Sequence, residues 1–409
     1  MPGESPLNMM REPQRGLRRP AGRSMRRRRG LAPWSIAALA VMGVVALALI
    51  WVWLWYYAAQ TADRTLAGWV EREAAAGRVY SCGTQAIGGF PFSIEVRCDS
   101  VGAALNKLDP PYSLKAKGVA VAAEIYQPTR LLGEVMGPLV LAAQTGDAPQ
   151  LRADWSRAQW RVRGLPPDPQ SLAITLERPH LDRLTHAGGS DAARLFNANH
   201  ADLQARVIGG SPRSDPVIET IVHLKGAAAP QLHALTAEAT DADLDVVIRG
   251  LKDLRPKPLA EHFREMQAAG GGIDIKYLRI AQPDATIVGT GKLGLTAQGK
   301  LDGLIRVAVV GIEAIVPRLG VDRLIGRGVN RITGVAGTSE QGLSALDRLV
   351  PGLSGAVREG ANASVIDNLK KMGERTEIDN KPAIILPLRI TEGAVYLGMI
   401  PLGDVPPLF

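Results

Sequence analysis

The sequence predicts an α+β fold dominated by strands, with a single N-terminal transmembrane helix followed by a large, mainly antiparallel, curved-sheet domain that has few helices. Three observations lead there. A basic segment precedes a stretch, Gly30 to Ala62, that has no Asp, Glu, Lys or Arg. Beyond it, apolar and polar residues alternate with period two over most of the chain, the pattern of strands with one buried face. Helical periodicity is confined to a few short segments.

Residues 1–30 carry nine arginines and two glutamates and little to bury, so they are read as a disordered basic tail, attracted to anionic lipid. The apolar run Trp34 to Tyr57 matches the roughly 20 residues that a helix needs to cross a bilayer core, and residues 31–60 are assigned to it. Trp51, Trp53, Trp55, Tyr56 and Tyr57 crowd one end and Trp34 marks the other, where amphipathic rings sit at the headgroups. A cleaved signal would be shorter, about 7 to 15 apolar residues closed by small ones. The arginines keep the N-terminal side in the cytoplasm. This holds for a start at Met1 or at Met25, which keeps Arg26 to Arg29.

The chain has a net charge of +8, of which the tail supplies +7 (nine Arg minus two Glu), leaving +1 for the rest. The basic excess therefore belongs to membrane orientation, and nucleic-acid binding is excluded on that ground.

The first element after the anchor is a juxtamembrane helix, assigned to residues 61–81, with Leu66, Trp69 and Val70 on one side and Gly77 as its stop. A β-rich domain over 82–320 follows. It opens on the only two cysteines, Cys82 and Cys98, in CGTQAIGGFPFSIEVRC. Gly88 and Gly89 predict a turn, and Phe92, Ile94, Val96 and Cys98 share a face opposite Ser93, Glu95 and Arg97. A structural disulfide across a hairpin fits this pattern, and a loop of that size contributes about 3 kcal/mol in the chain-entropy model. The alternative, a reactive or metal-binding thiol pair, lacks CxxC spacing and a clustered histidine.

Leu114 to Ile125 alternates as a strand with a bulge at Gly118. In LRADWSRAQWRVRG the apolar set is Leu151, Ala153 and Trp155, then Ala158, Trp160 and Val162 after a one-residue slip, with Arg157, Arg161 and Arg163 opposite. Further strands are expected at Ser171–Glu177, Ala201–Ile208, Val217–Lys225, Leu232–Ala239, Leu244–Arg249, Ile273–Ile280, Ala285–Ala297 and Lys300–Val309. Pro258 opens a helix over LAEHFREMQAA, closed by glycines. A Gly-rich helical segment is assigned to 321–378, with helical stretches at Leu343–Leu349 and Ile366–Met372. Residues 379–409 complete the sheet as a hairpin, with Ile384, Leu386, Leu388 and Ile390 leading into Thr391-Glu392-Gly393 and Val395–Ile400 returning.

Several motif matches fail on context. Gly289 to Gly294 fits GxGxxG but lies between strand patterns, and Leu301 stands where a phosphate loop needs Ser or Thr. Asp241, Asp243 and Asp245 start like a calcium loop, but Val246 replaces its glycine and Lys252 its glutamate. Ser190 lies one residue short of a nucleophile elbow. The six histidines have no metal-ligand spacing, and Asn362-Ala363-Ser364 is a chance-level glycosylation sequon.

WYYAAQTADRTLAGWVEREAAAGRVYSCGTQAIGGFPFSIEVRC, ADWSRAQWRV, GKLGLTAQGKLDGLIRV and LRITEGAVYLGMIPLGDVPPL together resemble the family of bacterial membrane-anchored proteins called domain of unknown function 2125. The resemblance implies a Gram-negative inner-membrane protein with a periplasmic domain and no assigned activity, and since the family has no established catalytic residue, none is carried over to this chain. At the level of pattern, the G-x-L-x-L hairpin is also similar to periplasmic lipid-handling proteins of the AsmA type.

The expected role is non-catalytic, with no cofactor and no metal. An apolar sheet face would form a groove for lipid or another envelope component, lined by Leu114 to Ile125, Phe92, Trp155 and Trp160, with Arg157, Arg161 and Arg163 meeting phosphate headgroups. The same residues also fit an ordinary sheet core with a solvated edge. The alternative role is an envelope assembly factor that binds a protein through a sheet edge or through Gly326 to Gly373.

Overall fold

The structure is a computed structural model that describes residues 33–107, 110–144, 150–164, 168–184, 192–255, 257–319, 353–398 and 400–409. The basic tail, Ser190 and the expected helix at Leu343–Leu349 lie outside the described residues, as does most of the Gly-rich segment. The chain divides into two compact units, Met1–Leu54 and Trp55–Phe409.

Helix α1, Pro33–Ala75, is one uninterrupted element. It is the one described helix long and apolar enough to cross a membrane, with a mean hydropathy of 2.5 in its best window. The expected end of the helical region at residue 81 is corrected: the helix stops at Ala75, Gly77 takes a left-handed φ of +86°, and a strand begins at Arg78.

The second unit is an open, antiparallel sheet, as the alternation predicts. Its first half contains β1 (Arg78–Gly88), β2 (Ser93–Leu105), β3 (Tyr112–Glu124) and β4 (Gln127–Ala143). Three bent strands follow, each interrupted midway: β5 (Gln150–Asp154) with β6 (Arg157–Arg163), β7 (Ser171–Glu177) with β8 (His180–Leu184), and β9 (Ala192–Asn197) with β10 (His200–Ser211). The second half runs through β11 (Ser214–Ala227), β12 (Thr240–Arg249), β13 (Gly272–Ala281), β14 (Thr286–Leu295) and β15 (Leu301–Val310). After β15 come β16 (Glu374–Ile378), β17 (Lys381–Thr391), β18 (Ala394–Leu397) and β19 (Ile400–Asp404). Helix α2 (Leu259–Ala268) joins β12 to β13, while α3 (Ile312–Leu319) and α4 (Leu353–Met372) lie between β15 and β16.

Two strand expectations are corrected. Leu232–Ala239 forms turns and a 3-10 turn at Ala234–Thr236, because local side chains take the backbone partners a ladder would need. His233 Nδ1 accepts from the Leu235 N–H, and the Thr236 hydroxyl bonds the carbonyls of Ala229 and His233. The returning strand of the closing hairpin, expected over Val395–Ile400, ends at Leu397 as β18, and β19 runs back antiparallel to it with Ile400 opposite Leu397, while residues 374–378 are a strand rather than helix. GxGxxG falls inside β14, where a Cβ on Gly291 would lie 2.4 Å from the Leu304 carbonyl oxygen, so that glycine serves strand packing.

A crease crosses the first half of the sheet. The β1–β2 ladder passes from Cys82↔Val101 to Thr84↔Asp99, skipping Gly83 and Ser100. Opposite them, β3 pairing shifts between Ala116 and Gly118 and β4 passes the Gly137–Pro138 bond. The line continues through Trp155–Ser156, Arg178–Pro179 and Ala198–Asn199, and ends at the shift between Leu224 and Ala227. Ser100, Arg178 and Gly226 take left-handed φ values of 58°, 50° and 58° there. An extra residue per strand bends the sheet and returns the apolar residues to the same face. The one-residue slip between Trp155 and Ala158 is this crease seen in one strand.

Candidate functional site

Cross-strand partners share a face, so the registers trace one apolar row over the sheet. It passes Ile87, Val96, Val121, Gly133, Trp160 and Ile174. It then continues through Leu203, Val222, Leu244 and Leu278 to Val307 and Leu386.

The two ends of this row have different surroundings. Over β12 to β18, helices α3 and α4 and the 3-10 turn close a core in which Val316, Leu369 and Leu386 are fully buried. Over β2 to β10, Val96, Val121, Trp160, Ile174 and Leu203 are only half-buried, and no described helix packs on them. Among the described residues only the β1 edge is dressed there, by residues 55–75 of α1. The Trp55 indole N–H donates to the Ser93 carbonyl oxygen at 2.8 Å, and Gln85 Nε2 donates to Asp63 Oδ1 at 2.7 Å. Trp69 stacks on Tyr80, and Glu73 pairs with Arg78. Where the open and closed parts meet, a 360 Å³ cavity lies among Phe196, Leu224, Leu235, Ile280, Ile287 and Ile315.

Both candidate tryptophans pack on β4. A Cβ on Gly133 would lie 2.1 Å from Trp160 Cε2, so the missing side chain makes room for the indole on the apolar face. Trp155 sits in the crease and its indole N–H donates to the Val135 carbonyl oxygen at 2.8 Å. Phe92 stands apart from both, exposed in the β1–β2 turn just before β2. Arg157, Arg161 and Arg163 are exposed and alternate with Trp160 along β6, so their side chains leave the sheet on the face opposite its indole. Arg161 borders a 350 Å³ concavity of mixed polarity with Glu95, Glu134, Gln159 and Thr175, floored by Ala122, Leu132 and Ala173 and also lined by Gly133 and Trp160.

The polar face is laced by ion pairs. Glu219 binds Arg206 and Lys276, fastening β10, β11 and β13, and the hydrogen bonds from Lys276 and then Arg206 hold its carboxyl below the usual range. Asp253 is nearly inaccessible, and hydrogen bonds from Arg255, then Lys257, hold it well below the usual carboxylate range. Asp241 accepts from the Gly226 N–H and Lys225, and Asp243 bonds His223, so each has its own partner on the wet face. Among the described residues, no group of three His, Cys, Asp or Glu is placed to hold a metal.

Cys82 and Cys98 form the expected disulfide, with a Cα–Cα distance of 5.7 Å. They are not direct partners, since Cys98 lies opposite Gln85 and Cys82 opposite Val101. The bond therefore stitches the two sides of the crease. Sequence reasoning missed β4, whose LLGEVMGPLVLAA lacks alternation, and α3, which contains Pro317.

No curated protein matches the chain. Residues 55–406, the whole of the sheet unit from Trp55 nearly to the C-terminus, match the family described as uncharacterized protein conserved in bacteria, and the chain belongs to this family, domain of unknown function 2125.

Proposed function

We propose that this protein is a non-catalytic, membrane-anchored lipid-binding protein of the cell envelope, which receives acyl chains on the uncovered part of its apolar sheet face. One observation carries the reading. The row from Val96 to Leu203 is as apolar as its continuation under α3 and α4, yet no described helix covers it. A half-buried apolar row that continues across several strands without a covering helix is the kind of surface at which a folded domain binds an apolar partner. The 360 Å³ apolar cavity where the open and covered parts meet gives an acyl chain a place to terminate. Leu114 to Ile125, Trp160 and Trp155 border this surface, whereas the arginines lie behind it and act at headgroup level from the sheet's other face.

The arginine-rich tail before α1 favours an N-terminus in the cytoplasm of an inner-membrane protein, with the sheet in the periplasm. A disulfide between the only two cysteines accords with that oxidising compartment.

Native mass spectrometry of the full chain extracted in mild detergent tests the reading. Phospholipid enriched over membrane background, and lost in a Val121→Asp/Leu203→Asp variant that keeps its disulfide and melting transition, is the expected result. No enrichment, or co-purification of a protein on the same face with no lipid, favours an envelope assembly factor instead.

A further inference from the structure

The turn Gly89–Phe92 is fixed beside the C-terminal part of α1. Trp55 is buried, its indole N–H bonds the Ser93 carbonyl oxygen, and its ring meets Phe90 edge-on at 5.5 Å. The neighbouring Tyr56 and Tyr57 remain exposed, and in sequence they directly follow the uncharged apolar run of the anchor. The β3–β4 turn reaches the same rim, where the Ile125 N–H donates to the Phe92 carbonyl oxygen at 3.0 Å. Phe90, Phe92 and Tyr126 are 52%, 62% and 66% exposed there, although large aromatics usually find cover. Neither Ile87–Ile94 nor Ile125–Thr129 contains a charged residue.

Behind this rim two arginines face each other. Arg130 of β4 pairs directly with Arg163 of β6 in the register. Like charges directly opposite on a sheet oppose its stability. Neither forms an ion pair among the described residues, and Arg130 Nε is buried without a hydrogen-bond partner. Arg130 lies four residues past Tyr126, roughly 13 Å along the strand at about 3.3 Å per residue, a gap that a long side chain shortens toward the tip.

The geometry points to a second membrane contact: the aromatic rim of Phe90, Phe92 and Tyr126 enters the bilayer interface beside α1, and Arg130 with Arg163 takes the phosphate of an anionic lipid. Aromatic rings at headgroup depth with basic side chains just above them match the chemistry of that layer. The occupant is the bilayer, because Trp55 ties the rim to the helix whose preceding residues form the apolar run. The inference rests on α1 being a membrane anchor and not on acyl-chain binding by the sheet face. A rim seated in the bilayer would set the open face at the membrane surface, where lipid enters.

The test places a photo-crosslinking amino acid singly at Phe92, Tyr126, Leu47 of α1 or Asn106 in the turn just past the far end of β2, in the full chain reconstituted in vesicles of phosphatidylethanolamine and phosphatidylglycerol. Lipid adducts at 92, 126 and 47 but not at 106 are expected. At 126 the adduct should favour phosphatidylglycerol, and each of Arg130→Gln and Arg163→Gln should lower that preference up to roughly fivefold, the factor equivalent to about 1 kcal/mol per basic residue near an anionic surface. A preference removed by free inorganic phosphate but unchanged by lipid composition would overturn the headgroup assignment. Adducts at 47 without adducts at 92 and 126 would overturn the inference while leaving the anchor standing. Adducts at none of the three would overturn both.

Discussion

The indole of Trp160 occupies the space that a side chain on Gly133 would need, with a Cβ at that position only 2.1 Å from Trp160 Cε2. The two residues are direct partners on β6 and β4, so the largest side chain on the open apolar face has a seat made by the smallest. Gly133→Ala should therefore push the indole off the sheet and destabilise the domain by about 1 to 3 kcal/mol, the usual cost of overpacking. Gly88→Ala, where nothing lies within 4 Å, is the control expected to change little. Urea unfolding of both variants checks this.

The disulfide joins residues 16 apart across the crease. Replacing both cysteines by serine should remove about 3 kcal/mol, the chain-entropy value for a loop of that size. A thermal melt of the double variant identical to the wild type would mean that the crease holds without its stitch.

Helix α4 and the open face make opposite predictions for equal truncations. Leu369 and Leu386 are closed over by the core, so Leu→Ala at either should cost about 2 to 5 kcal/mol. Ile174→Ala removes an aliphatic side chain that is only half-buried, and its cost should fall below that range. Denaturant midpoints for the three variants decide whether the open half is a binding surface or a second core.

Glu219 should make stability depend on pH. Its carboxyl is held below the ordinary value of 4.5 by hydrogen bonds from Lys276 and Arg206, so the stability it contributes is fully present above about pH 4.5 and is lost as pH falls through the folded value. Glu219→Gln should therefore be less stable than wild type at neutral pH, with the difference shrinking on acidification. A difference that grows toward acid would reverse the sign of the argument.

Strands with strict alternation were legible because one buried face imposes period two, as for Ser171–Glu177 and Lys381–Thr391. The bulge at Gly118 and the slip after Trp155 were also readable, yet that they lie on one line follows only from the registers. Strand β4 was hidden because Gly133 and the Gly137–Pro138 pair interrupt its pattern for reasons set by neighbours: the room Trp160 takes and the bend of the crease. Trp55 was read as one of a belt of interfacial aromatics, but it is buried against the Phe90 turn while Tyr56 and Tyr57 face outward. Composition could not distinguish these roles. The candidate site was half legible: Trp155 and Trp160 both seat on β4, while the three arginines were separable from them by parity alone, since Arg161 and Trp160 are adjacent in a strand and must point to opposite faces.

The central claim, that the uncovered apolar face binds acyl chains, is tested most directly by a photo-crosslinking residue at Ile174 on that face and at the adjacent Thr175 on the polar face, in the full chain in native membranes. Phospholipid adducts at position 174 and none at 175 are the predicted result. Equal labelling at both positions, or protein adducts at 174 with no lipid, would contradict it.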